Sequence, residues 1–308
     1  MVLMHENKPS ATAFIILKSI LFLSCDACLK KIVPEGMRKI SLNFLESATL
    51  NKKGVVKLYQ WTFFRTVLQA LERLTVPGIM LHYVLRKRYL EETAVRSIAE
   101  GTKQVVILAA GFDTLACRLS RQFPDVLFIE VDHPATQKVK KRLVEEKEWD
   151  SQNLLFLEVD FSKDSLEDKF RSIERFNRDK RSLFVMEGIT MYLTEGEIGR
   201  LFNFITQNAF LGSQLVFTFM ERQPNGSIDF KQTTFFLKTW LVFKKETFKW
   251  GLAKDKVALF LEKHRFGMTQ IISHEILKSK YLAGFSEDLP LAEGECIGVA
   301  ERTWETAK

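Results

Sequence analysis

Gln104-Val-Val-Ile-Leu-Ala-Ala-Gly-Phe-Asp-Thr114 is the stretch whose reading decides the fold. Val105 to Leu108 is an unbroken apolar run, three of its four residues β-branched, as expected of a strand buried on both faces. Ala109, Ala110 and Gly111 are small enough for a tight turn that brings backbone close to a ligand, and a helical pattern begins at Leu115. In an open α/β sheet, ligands bind at the carboxyl ends of the strands, so this turn is a candidate site.

Downstream, strand-like runs at 127–131, 154–159, 182–186 and 213–220 alternate with helix patterns at 115–122, 134–148, 165–176 and 195–208. Such alternation predicts a doubly wound, Rossmann-like α/β sheet whose crossovers are helices. Upstream, residues 10–98 carry apolar side chains at three- and four-residue spacing, with breaks at Pro34-Glu-Gly36, Lys53-Gly54 and Pro77-Gly78, which predicts a helical region. After Gln223-Pro-Asn-Gly226 an aromatic-dense stretch, 230–250, reads as an insertion capping the sheet. Runs at 268–273 and 295–301 read as an antiparallel hairpin added at the sheet edge, making seven strands, mostly parallel. The expected division is a helical region over 1–100 contributing to the site, an α/β core over 101–222, a substrate cap over 223–267 and closing strands over 268–308.

Composition narrows the class of protein without naming a function. With 46% hydrophobic and 27% charged residues, the 308-residue chain has enough apolar side chains to form a packed core. Twenty-six Phe against five Tyr suit a core or an apolar pocket better than a wet recognition surface. The net charge of +7 comes from scattered groups, Lys30-Lys31, Lys52-Lys53, Arg86-Lys87-Arg88 and Lys244-Lys245 among them, that read as solvated helix faces. No run approaches the ~20 apolar residues of a spanning helix. The apolar stretch 13–29 is broken by Lys18 and Asp26 and lacks the marks of a signal peptide, so a cytoplasmic protein with reduced thiols is expected. Cys25-Asp-Ala-Cys28 lies in a helical pattern with no second CxxC, which reads as structural, and no metal site is expected.

A second strand end sharpens the candidate site. Phe128-Ile-Glu-Val-Asp132 places an acid 21 residues after Gly111, where a carboxylate can accept hydrogen bonds from both ribose hydroxyls of a nucleoside. A dinucleotide would need G-x-G-x-x-G at the turn, but Ala109-Ala-Gly-Phe-Asp-Thr114 has one glycine and an acid that would repel phosphate. S-adenosylmethionine (SAM) has no phosphate and carries an amino group that tolerates neighbouring acids. Asp160, in Leu157-Glu-Val-Asp-Phe161, and Glu187, in Phe184-Val-Met-Glu-Gly-Ile-Thr-Met-Tyr192, follow the third and fourth predicted strands on the same rim.

Together with Arg86-Lys-Arg-Tyr-Leu-Glu-Glu92, Glu130-Val-Asp-His-Pro134 and Glu187-Gly-Ile-Thr-Met-Tyr-Leu193, these segments resemble the leucine carboxyl methyltransferase family, which also holds polyketide O-methyltransferases. The resemblance runs over about 86–210 and more weakly to the end. It implies a class I methyltransferase fold with SAM as cofactor. It also implies that Arg86 pairs with the methionine carboxylate, Ala109 and Gly111 line the methionyl part, and Asp132 binds the ribose. Asp160 and Phe161 would flank the adenine, and Glu187 would lie near the amino group and sulfonium. Arg88 is the alternative carboxylate partner. The family's turn reads Q-V-V-x-L-G-A-G-x-D-T, so Ala109 replaces a glycine here, and Leu115 stands where an arginine commonly follows D-T.

The expected activity is O-methylation of a carboxylate or hydroxyl on a small molecule. Alternatives are methylation of a protein's C-terminal leucine carboxylate and, because of Ala109, SAM binding without catalysis. A hydroxyl acceptor needs a general base and a carboxylate does not; His133, Tyr192 and Glu187 are candidates that the sequence does not separate. Base methylation is discounted because Glu187-Gly-Ile-Thr stands where a D/N-P-P-aromatic loop would be, so neither nucleic acid nor membrane is expected as a partner.

Overall fold

The computed structural model describes residues 11–34, 36–48, 54–161, 163–231, 248–285 and 289–303. Residues 232–247 of the predicted cap lie outside the described residues. Strands β1 (Gln104–Leu108), β2 (Leu127–Asp132), β3 (Leu154–Glu158), β4 (Ser182–Met186), β5 (Gln214–Met220), β6 (Phe266–Ile272) and β7 (Glu295–Arg302) form one sheet in the order β3-β2-β1-β4-β5-β7-β6. β1 to β5 run parallel, and β7 pairs antiparallel with both β5 and β6. The closing hairpin is therefore antiparallel as expected, with its second strand inserted inside the first. β7 is almost wholly buried while the middle of β6 is exposed, as the inner and edge positions of a sheet require.

Alternate side chains of the central strands enter two different cores, which is why these strands read as continuous apolar runs. Val105 and Ile107 of β1, with Leu183 and Val185 of β4, face one cluster. Val106, Leu108, Phe184 and Met186 face the other, packed with Phe202 and Ile205. The latter two come from α9 (Glu195–Asn208), whose first turn is fixed by a reciprocal capping box between Thr194 and Glu197.

The helical pattern of 10–98 folds as α1 (Ala11–Ser24), α2 (Met37–Ala48), α3 (Val55–Gln60), α4 (Thr62–Thr75) and α5 (Ile79–Ala99). Gly78 begins α5 at φ +77, and a Cβ there would lie 2.3 Å from the Pro290 carbonyl oxygen, so glycine is required sterically as well as conformationally. This contact sets the start of the long helix that carries His82, Arg86 and Lys87. Between strands run α6 (Leu115–Gln122), α7 (Pro134–Glu146) and α8 (Leu166–Arg171); α10 (Val257–Lys263) and α11 (His274–Leu282) flank β6. α8 is shorter than the predicted 165–176 because the chain turns after Arg171, where Ile173 and Phe176 still pack into the second core. No described helix is long and apolar enough to cross a membrane.

Candidate functional site

Strand order reverses between β1 and β4, so the crevice above their carboxyl ends is the position at which this class of sheet holds ligands. At that switch point the chain leaves β1 through Ala109 at φ 57 and Gly111 at φ 51, both left-handed. For alanine this conformation costs on the order of 1 kcal/mol, so the replacement of the family's glycine is accommodated under strain. Phe112 secures the turn from above, its ring 5.0 Å from Phe14 of α1 and 5.6 Å from Phe44 of α2. The N-terminal helices therefore roof the turn.

Asp132 at the end of β2 is 2% exposed, and its two oxygens each accept one backbone hydrogen bond. Gly111 N–H donates to Oδ2 at 2.6 Å and His133 N–H donates to Oδ1 at 2.7 Å. Burial pushes this carboxyl above its ordinary range, and the two N–H groups only partly offset it. Each oxygen keeps lone-pair capacity beyond its backbone bond, the requirement for gripping a vicinal diol.

Beside the turn lies a buried charge cluster. Arg86, 2% exposed, donates from Nε to Glu187 Oε1 at 2.8 Å and from Nη1 to both oxygens of Glu295, at 2.8 and 2.7 Å. A Cβ placed on Gly188 would sit 3.6 Å from Nη2. Lys87 Nζ bridges Glu187 Oε2 at 2.8 Å and Asp113 Oδ1 at 3.1 Å, tying the cluster to the turn. Burial alone would raise Glu295, but the Arg86 charge and the His82 hydrogen bond outweigh it and bring the carboxyl down to about 2. Asp113 is also pushed up by burial and pulled below its ordinary value mainly by Lys87.

Arg86 and Glu187 are thus in direct contact, as are Gly111 and Asp132, and Ala109 lies in the same turn. Asp160, just beyond β3, lies 3.8 Å from His133 Nε2 and 3.5 Å from Lys163 Nζ, while Phe161 packs partly buried against the second core. Arg88 points elsewhere because two residues along a helix turn the side chain to another face. It pairs with Glu92 at 3.1 Å, stacks over Tyr281, and lines a groove of about 770 Å³ with Lys31, Pro34 and Arg96. Sequence reasoning gave no role to Lys87, His82 or Glu295, and used Asp113 only as the acid that would repel phosphate. Lys87 and Asp113 sit inside segments already singled out, whereas Glu295, 209 residues from Arg86, carries no local signal.

A family profile described as Leucine carboxyl methyltransferase matches residues 42–206, more than half of the chain. The chain belongs to the leucine carboxyl methyltransferase family. YktD of Bacillus subtilis (strain 168), whose name gives S-adenosyl-L-methionine-dependent methyltransferase as a provisional designation, is 29% identical over 137 residues, 44% of each chain. A protein of Mycobacteroides abscessus with the same provisional designation is 28% identical over 178 residues, 54% of this chain and 58% of its own. The chain spans about half the length of the curated relatives it matches. A provisionally designated methyltransferase from Thermobifida fusca, 15% identical, superposes with a TM-score of 0.51, covering 78% of this chain and 89% of that one. The shared architecture is the class I methyltransferase fold.

Family and relatives indicate SAM as the cofactor, and the donor set fits it. The buried carboxylate of Asp132 matches a diol rather than a phosphate, and the cluster around Arg86 holds two cations against three carboxylates. That excess of negative charge suits a ligand bearing an ammonium, a sulfonium and a single carboxylate.

Proposed function

We propose that this chain is a SAM-dependent O-methyltransferase acting on a hydroxyl or carboxylate of a small molecule. The observation that carries the reading is Asp132, buried without a cationic partner in contact among the described residues and held by the Gly111 and His133 amides on the carboxyl rim of a leucine carboxyl methyltransferase family sheet. When bound, the cofactor supplies an electrophilic methyl group on a positively charged sulfur.

Each residue's proposed task follows from its chemistry. Asp132 accepts from the two ribose hydroxyls, and Asp160 with Phe161 flanks the adenine. The left-handed turn at Ala109 and Gly111 lets backbone lie against the methionyl part. Arg86, with Nε and Nη1 committed to Glu187 and Glu295, offers Nη2 to the methionine carboxylate. Glu187 contributes negative charge for the amino group and sulfonium. Alignment of donor and acceptor in a dry crevice supplies much of the rate, with effective molarities that reach about 10⁵ M in favourable cases.

The proposed organisation keeps the helical N-terminal region as part of the cofactor and substrate site, supported by Phe14 and Phe44 packing on Phe112. Four free cysteines agree with the reducing cytosolic compartment of this reading. Titration calorimetry with SAM is the direct test, followed by a panel of small phenols and carboxylic acids with labelled SAM. Absence of SAM binding to the wild-type chain defeats the proposal. The family description favours one second reading, methylation of a protein C-terminus, which a peptide ending in a free leucine carboxylate would separate.

A further inference from the structure

His82 is completely buried on α5, one helical turn before Arg86, and its two ring nitrogens are in different situations. Nε2 lies 2.8 Å from Glu295 Oε2, whereas Nδ1 is buried with no hydrogen-bond partner among the described residues. A carboxylate only accepts, so Nε2 carries a hydrogen, and in the neutral tautomer that this contact selects Nδ1 presents a lone pair. Buried polar atoms are nearly always paired, and an orphan calls for an explanation such as a reacting partner.

The surroundings specify what kind of partner. Glu295 opens β7 opposite Met220, the last residue of β5, so the His82–Glu295 pair sits on the same carboxyl rim as the cofactor site. The imidazole packs edge-on to Phe230 at 6.2 Å, and Phe230, Phe248 and Tyr192 form a chain of ring contacts at 6.1 and 5.7 Å. Met191, Met220 and Val76 join the same apolar cluster. Among the described residues, the charged and titratable groups around the ring are Glu295 from β7 and Arg86 and Tyr83 from α5, with Glu187 beyond Arg86.

We propose that His82, oriented by Glu295, is the general base for this chain's methyl transfer, and that the acceptor is a phenolic hydroxyl. The inference rests on the O-methyltransferase reading above and selects the hydroxyl branch of it. In the step, the phenol oxygen forms the new O–C bond as its proton passes to Nδ1, and the C–S bond breaks with its electron pair left on sulfur. The positive charge lost from sulfur appears on the imidazolium, where the Glu295 carboxylate faces it. This is the arrangement of an oriented base: one nitrogen held by a buried acid, the other free for the proton. A phenol is acidic enough to give its proton to an imidazole, while an aliphatic hydroxyl is far less acidic. The ring-lined wall suits an aromatic acceptor.

The test compares wild-type chain with His82→Ala, His82→Gln and Glu295→Gln, using SAM with catechol, 4-nitrophenol and a polyhydroxylated flavone as probes. The expected result is methylation of at least one phenol by wild type and a fall in kcat of about 10²- to 10⁴-fold in both His82 variants. SAM affinity in His82→Ala should stay within threefold, and added imidazole should restore part of the rate. Nitrogen-15 spectra of the wild-type chain should show His82 protonated at Nε2 and bare at Nδ1, a readout independent of turnover. A protonated Nδ1, or unchanged kcat in a His82 variant that binds SAM, overturns the inference. If no His82 variant folds, a wild-type pH-rate profile with no acid limb overturns it instead. Methylation of carboxylic acids and no phenol defeats the base assignment while leaving the O-methyltransferase reading intact, whereas failure to bind SAM removes both.

Discussion

Arg86 Nη1 donates to both carboxylate oxygens of Glu295, at 2.8 and 2.7 Å, so the opening residue of the last strand holds the arginine proposed to meet the cofactor. The pair is nearly free of solvent, where removing one partner leaves an uncompensated charge.

Glu295→Ala should therefore cost about 3–5 kcal/mol in denaturant unfolding, strongly for a single substitution. The pH dependence follows from the depressed carboxyl. Folded Glu295 lies at about 2 against an ordinary value of 4.5, so its contribution is present in full above about 4.5 and is lost as pH falls toward 2. Urea unfolding of wild type and Glu295→Gln between pH 6 and pH 2 should show the wild type losing more stability over that window.

If Asp132 holds the ribose as proposed, Asp132→Ala should weaken SAM binding by about 2–3 kcal/mol, roughly 30- to 150-fold, the loss of charge-assisted hydrogen bonds. Calorimetry reads this directly. The Asp132→Asn amide should keep part of the affinity, since its carbonyl still accepts.

Ala109→Gly should stabilise the fold by roughly 1 kcal/mol, because the left-handed φ of 57 penalises alanine and not glycine. Ala109→Val should do the reverse with a larger magnitude, since a β-branched side chain tolerates that region least. Thermal unfolding of the three proteins orders them Gly, Ala, Val.

Lys140 Nζ of α7 lies 2.5 Å from Glu130 Oε2 of β2, both wholly buried. Lys140→Met alone should cost about 3–5 kcal/mol, leaving a buried carboxylate unpaired, while Glu130→Leu with Lys140→Met should recover most of the loss. A double-mutant cycle in urea checks both values.

Local reading went far in the α/β half and stopped at its contacts. Val105 to Leu108 and Leu183 to Met186 read as buried strands because parallel strands put apolar side chains on both faces. α8 ended early because packing of Ile173 and Phe176 overrode helical periodicity.

By itself the sequence determined the kind of sheet, the turn at Ala109 to Gly111 and the acid at Asp132, because each is encoded over a few neighbouring residues by side-chain period, size and charge. Tertiary structure alone decided that β7 lies between β5 and β6, that α1 and α2 roof the turn, and that Glu295 meets both Arg86 and His82. Those relationships join residues up to 213 positions apart, and an ion pair at such separation leaves no periodic trace in the chain. It exists only after strand order and helix placement have brought the two charges out of water together.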